Sequence, residues 1–250
     1  MAEPIRVLIL GGTAEAVGLA RALFGDARVA AITSLAGRTR APAAVPGAVR
    51  VGGFGGPEAL ADYLGREGID LVVDATHPFA ARISRNAARA CNLAKVPRLL
   101  LARPPWTPQA SDTWVPVPDI EAAAAALPGL GRRVFLAIGR QELAAFAGLT
   151  GLWFLVRLVE EPETPPPLAD HLLVLGRGPF AIEREIDLLR EHRIDVVVSK
   201  NSGGAGAAAK IAAARALKLP VVMIERPPAP DSETTESVAA ALPWIDARIS

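Results

Sequence analysis

The chain has 250 residues, enough for one large core or for two of about 100 to 150 residues each. Hydrophobic residues make up 51% and charged residues 21%, a balance that excludes global disorder. Lys and Arg number 27 against 26 Asp and Glu, so the net charge of +1 provides no field to gather nucleic acid or an anionic membrane; any anion site must be local.

No apolar run of about 18 uncharged residues occurs, and residues 1–4 lead straight into a strand-like segment without a basic stretch or signal core. The expectation is a cytoplasmic protein without membrane or nucleic-acid partners. A single cysteine, Cys91, excludes an internal disulfide and a cysteine metal cluster, and its Ala-rich surroundings predict a buried side chain. No metal site is expected. No long apolar stripe lacks an internal role, which predicts a monomer.

Residues 5–10 form a short apolar run closed by Gly11-Gly12, and residues 14–24 carry apolar side chains at helical spacing: strand, turn, helix. The pattern continues with strands at 28–33 and 48–51, a helix at 57–66 opened by Pro57, a strand at 71–74, a helix at 79–93 and a strand at 98–101. Residues 103–118 hold Pro104, Pro105, Pro108, Pro116 and Pro118 and predict an extended crossover. Beyond it come a strand at 134–138, a short helix at 142–146 and strands at 152–158 and 172–175. A helix at 179–190, a strand at 195–198, a helix at 207–217 and a strand at 221–224 follow. A last helix at 234–247, capped by Ser232 or Thr234, is assigned to neither half. Alternating β and α elements predict an α/β protein of two Rossmann-like domains, residues 1–102 and 103–250, each with a parallel sheet flanked by helices and with the active-site cleft between them. The halves share an architecture without obvious residue-level repetition.

Gly11-Gly12-Thr13-Ala14-Glu15 joins the first strand to the first helix, where unpaired amides and the helix dipole suit a diphosphate, although the later Gly18 departs from G-x-G-x-x-G spacing. A NAD-binding unit places a carboxylate at the end of its second strand; here stand Thr33 and Ser34, with Arg38 and Thr39 close by. Hydroxyls and a guanidinium suit a 2′-phosphate, so NADPH is favoured over NADH. Gly53 and Phe54, in a run of glycines, are candidates for close approach to adenine or ribose. Ala75, Thr76, His77 and Pro78 follow the fourth strand, at the sheet edge where ligands collect, and are expected beside the nicotinamide. His77 offers a proton donor, or simply bonds backbone to set the turn before Pro78.

In the second half, Gly176-Arg177-Gly178-Pro179-Phe180 and Ser199-Lys200-Asn201-Ser202-Gly203-Gly204 again join strand to helix, with Pro179 suited to a first helical position. Arg140, Arg157, Arg177 and Lys200, with Asn201 and Ser202, are candidates to clamp a polycarboxylate.

Taken together, Leu10 to Glu15, Asp74 to Ala80, Arg177 to Phe180 and Ser199 to Gly204 resemble the precorrin-6A reductase family, in the family's order and from Ile5 to Arg226. The resemblance implies hydride transfer from NADPH to a double bond of precorrin-6A, a tetrapyrrole rich in acetate and propionate groups, giving precorrin-6B in cobalamin biosynthesis. It implies Lys200 as carboxylate ligand or catalytic acid, with His77 the second catalytic candidate. Three other readings stand beside it: a cobalt-precorrin-6A reductase, a non-catalytic NADP-binding sensor, and an S-adenosylmethionine methyltransferase. The last would want a carboxylate where Thr33-Ser34 stands.

Overall fold

The computed structural model describes residues 3–37 and 44–249. The chain forms two compact units, Met1–Pro104 with Pro228–Ser250, and Pro105–Pro227.

The first unit holds β1 (Ile5–Leu10), α1 (Ala14–Leu23), β2 (Val29–Leu35), β3 (Ala48–Val51), α2 (Pro57–Arg66), β4 (Leu71–Asp74), α3 (Ala81–Ala94) and β5 (Arg98–Leu101). The second holds β6 (Thr113–Val117), α4 (Ile120–Ala126), β7 (Arg133–Ala137), a 3₁₀ turn (Arg140–Phe146), β8 (Trp153–Leu158), β9 (His171–Leu175), α5 (Ile182–Glu191), β10 (Val196–Lys200), α6 (Ala209–Ala216) and β11 (Pro220–Ile224). The chain then returns to the first unit with β12 (Glu233–Thr235) and α7 (Val238–Asp246).

Both sheets are six-stranded, in the orders β3-β2-β1-β4-β5-β12 and β9-β8-β7-β10-β11-β6. Every pairing is parallel. A central parallel strand is covered on both faces, which is why β1 is continuously apolar over its buried part, Val7 to Leu10. Val7 and Ile9 pack with Leu19, Leu23, Ala241 and Ile245 of α1 and α7. Leu8 and Leu10 face the other way, onto Leu60, Leu64, Ala87 and Cys91 of α2 and α3. Cys91 is buried as expected, and burial pushes its thiol up to about 12.

Several expectations are corrected. The second domain does not run to residue 250: residues 228–250 belong to the first unit, because β12 pairs with β5 and α7 buries Ala241 and Ile245 against α1. The helix expected at 234–247 starts later, since Thr234 and Thr235 pair with Leu100 and Leu101 in the sheet; the cap is Ser237, whose Oγ accepts from the Ala240 amide at 3.2 Å. The expected extended crossover contains β6, which among the described residues pairs with β11 alone and so accommodates Pro116 at a sheet edge. α5 opens at Ile182 and not at Pro179, because Phe180 turns back to lay its ring 4.1 Å from the Arg157 guanidinium.

Residue-level repetition is present after all. Lys95-Val96-Pro97 before β5 and Lys218-Leu219-Pro220 at β11 match, and Lys95 and Lys218 share a left-handed φ of 56°. Asp70 and Asp195 also match: each carboxylate accepts from backbone amides at the start of a central strand, Arg6 of β1 at 2.7 Å, and Arg132 and Arg133 at the start of β7 at 2.8 Å. Each run of five strands thus sends its sixth strand and last helix, β6–α4 or β12–α7, to the sheet of the other unit.

α6 points Lys210 into the second unit, where its Nζ donates to the Ala207 carbonyl at 3.0 Å and lies 5.0 Å from the Trp106 ring centroid. Burial lowers this ammonium from 10.5 to about 8, with Arg157 adding to the effect and Glu185 opposing it.

Two outcomes follow from these burials. Ile245→Ala should cost about 2–5 kcal/mol in urea denaturation and speed amide exchange in β1, β5 and α1; unchanged exchange there would contradict the packing of α7. Because the folded value of Lys210 lies below its unfolded one, the unfolded chain binds more protons between about pH 8 and 10.5, and this group's contribution to stability rises with pH across that window. Lys210→Met should therefore stabilise the protein at pH 7 by up to about 3 kcal/mol and flatten the rise toward pH 10, both read by denaturant titration.

Candidate functional site

In the first unit the strand-to-helix loops collect at the carboxyl edge of the sheet. Thr13 caps α1, accepting from the Ala16 amide at 3.2 Å, and donates to the Ala75 carbonyl at 2.7 Å, which ties the loop after β1 to the loop after β4. A Cβ on Gly11 would stand 3.0 Å from Thr33 Cγ2 and 3.2 Å from Leu35 Cδ2, so a larger residue would have to push those side chains aside. Gly12 has a φ of 116° and nothing within 4 Å of where a Cβ would be: backbone that favours glycine, facing open space. Ala14 and Glu15 begin α1, and the Glu15 carboxylate is neutralised by Arg103, Nη1 to Oε2 at 2.7 Å. That pairing removes a negative charge that would oppose a diphosphate at the helix start. The residues present therefore fit a dinucleotide's diphosphate.

Thr33 is 1% exposed and packs its methyl beneath Gly11, inside the unit rather than at its lip. Ser34, at the end of β2, accepts a hydrogen bond from Arg50 Nη1 at 3.2 Å. Arg50 also donates to the Gly52 and Gly53 carbonyls, at 2.6 and 2.8 Å, and lies 3.7 Å from the Phe54 ring centroid, so it orders the glycine-rich loop that carries Gly53 and Phe54. Arg38 and Thr39 lie outside the described residues.

At the end of β4, Asp74 is fully buried. Its Oδ1 accepts from the Thr76 amide at 3.2 Å and the Thr76 hydroxyl at 2.7 Å, while Oδ2 faces Arg98 Nη1 at 3.7 Å. Ala75 is buried, and Thr76, His77 and Pro78 are partly exposed above it. His77 Nδ1 accepts from the Phe79 amide at 3.2 Å, a bond that sets the turn around Pro78 and in the neutral ring leaves the proton on Nε2.

In the second unit, Lys200 at the end of β10 pairs with Glu142 of the 3₁₀ turn, Nζ to Oε1 at 2.5 Å. Arg140 opens that turn and is exposed, as is Arg177 in the loop after β9. Ser202 is buried beside Lys200. Asn201 is committed to the fold: its Oδ1 accepts from the Trp106 amide at 2.8 Å and its Nδ2 donates to the Trp106 carbonyl at 3.0 Å. Trp106 Nε1 in turn donates to the Gly204 carbonyl at 2.9 Å, which pins the entering chain to the loop after β10. Arg157 is likewise engaged inside the unit, forking onto Glu185 at 2.6 and 2.7 Å.

Lys200, Ser202 and Glu142 are thus brought together, whereas Asn201 and Arg157 have structural partners of their own. Arg50, Arg103, Trp106 and Glu142 belong to no motif. The one signal for Arg50 is its position directly before Val51-Gly52-Gly53-Phe54. Among the described residues no group of three or more His, Cys, Asp or Glu is placed to hold a metal, and no helix is long and apolar enough to cross a membrane.

Residues 6–246 match the family model described as precorrin-6x reductase CbiJ/CobK. The chain is 52% identical over 241 residues to a precorrin-6A reductase of Rhodococcus erythropolis, covering 96% of this chain and 97% of the relative. It is 50% identical over 240 residues to a precorrin-6A reductase of Rhodobacter capsulatus, covering 96% of this chain and 95% of that one. A solved structure of CobK precorrin-6A reductase superposes with a TM-score of 0.92 at 49% identity, over 97% of this chain and 96% of that chain. End-to-end agreement of sequence and fold makes this chain a member of the precorrin-6x reductase CbiJ/CobK family.

Proposed function

We propose that this protein reduces one double bond of precorrin-6A with NADPH, giving precorrin-6B in cobalamin biosynthesis. The observation that carries the reading is the open Gly12 turn at the head of α1, in a chain that follows its reductase relatives from end to end. Gly11, Gly12, Thr13 and Ala14 present backbone to the diphosphate, with Glu15 held aside by Arg103. Ser34, Arg38 and Thr39 receive the 2′-phosphate; Gly53 and Phe54 lie along the adenosine, and Ala75, Thr76, His77 and Pro78 line the nicotinamide end. NADPH, when bound, supplies the hydride.

The chain's own residues supply orientation and the proton. Arg140, Arg177 and Lys200 bind acetate and propionate groups of the tetrapyrrole, and Ser202 holds the loop that carries Lys200. Lys200 Nζ delivers the proton that balances the hydride, and its ion pair with Glu142 aims it. His77, with its proton on Nε2, is the second donor.

The test is anaerobic incubation of purified protein with precorrin-6A and NADPH, run beside NADH and beside the cobalt-containing substrate. A product two hydrogens heavier, formed with NADPH from the metal-free substrate, is expected; turnover of the cobalt form alone would move the protein to the other branch. Binding without oxidation on either substrate would make it a sensor. Lys200→Ala should lower kcat by about 10² to 10⁴-fold with the NADPH Kd unchanged, measured by single-turnover kinetics and fluorescence titration.

A further inference from the structure

In the first sheet β2 and β3 run parallel with Ser34 opposite Arg50, and Ser34 is in turn opposite Leu10, the last residue of β1 before the glycine turn. Two strand spacings place β3 about 10 Å from β1, the direction in which the adenosine half of a dinucleotide extends from a diphosphate held at the first turn. Along β3 only Arg50 is half-buried; Ala48, Val49 and Val51 are exposed.

The guanidinium is held in place before any ligand arrives. Its face lies on Phe54 at 3.7 Å, Nη1 bonds Ser34 Oγ and the Gly52 carbonyl, and Nη2 bonds the Gly53 carbonyl. All three acceptors are uncharged oxygens, so the positive charge is oriented but not neutralised by them. Among the described residues nothing accepts from Nε–H or the second Nη2–H, which suit a further acceptor. A rigid, charged fork with donors to spare, touching the hydroxyl that replaces the carboxylate of a NAD-specific strand end, matches a phosphate monoester.

We infer that Arg50 reads the 2′-phosphate of NADPH and sets the preference for NADPH over NADH. This rests on the proposal that the first unit holds the nucleotide, and it adds a residue from β3 to the contacts expected from the loop after β2. Because the side chain is already ordered, little rotamer entropy is lost on binding, and the contact acts on the 2′-phosphate alone.

The experiment titrates the native full-length protein, Arg50→Ala and Arg50→Lys with NADPH and NADH, and uses adenosine 2′-monophosphate and adenosine 5′-monophosphate as competitors. Loss of a charge-assisted pair of hydrogen bonds should weaken NADPH on the order of 10- to 100-fold in Arg50→Ala. Arg50→Lys, which keeps the charge without the fork, should lose less. NADH should lose far less than NADPH in both variants, its loss coming only from the loosened 52–54 loop, and adenosine 2′-monophosphate should lose its advantage over the 5′ isomer. Unchanged NADPH affinity would assign the role to another residue, Arg38 first, and overturn the inference. So would equal losses for NADPH and NADH, which would reduce Arg50 to a support for the 52–54 loop. If the native protein binds neither dinucleotide, the nucleotide reading itself fails and the inference falls with it.

Discussion

A parallel strand pair cannot be closed by a tight turn, and every neighbouring pair in both sheets of this protein is parallel. Each strand must therefore be followed by a connection that returns to the opposite edge of the sheet. In each unit this gathers the loops leaving the carboxyl ends along one edge, and the residues with chemistry to offer lie there: Gly12, Ser34, Arg50 and Thr76 in one unit, Lys200 and Ser202 in the other. The same geometry buries the central strands on both faces, so β1, β4, β7 and β10 can spare few polar side chains before their ends.

Asp74 is the exception within β4. It is fully buried at the strand's last position, with Arg98 beside it and Thr76 hydrogen-bonded to it. The repetition between the units makes this pair informative, because the second unit carries Ser199 and Val221 at the corresponding positions. The fold is therefore built without the charges in one unit, and their presence in the other accompanies the loop that carries Thr76 and His77. Glu15 and Glu142 have diverged in a related way. Both sit in the first turn after a glycine with left-handed φ, but Arg103 covers the first and Lys200 the second. One scaffold thus offers a neutralised turn suited to diphosphate and another with a lysine at its mouth.

Much of this was legible in the sequence. Residues 5–10 and 71–74 form the expected strands, because the buried parts of these parallel strands, 7–10 and 71–73, stand out as unbroken apolar runs. β6 was hidden by Pro116, whose tolerance depends on an edge position that no local pattern reveals. β12 is only three residues long and merges with the helix signal behind it. The partners of Asn201 and Arg157 were out of reach for a different reason: Trp106 is 95 residues from Asn201, and Glu185 is 28 from Arg157. Arg50 gains its meaning only from the β2–β3 register that sets it against Ser34. The glycine turn and the Lys200 loop could be read locally because strand, turn and helix are contiguous there.

The central claim is a division of labour, with nucleotide on the first unit and tetrapyrrole carboxylates on the second. Amide hydrogen exchange on the intact protein tests it most directly, with NADPH alone and then with precorrin-6A added. The account predicts that NADPH alone protects residues 11–15, 34 and 52–54 together with the loop after β4, and that substrate adds protection at 140–142, 177 and 200–202. Protection by NADPH centred on 140–142 and 200–202, with the glycine turn after β1 unaffected, would contradict it.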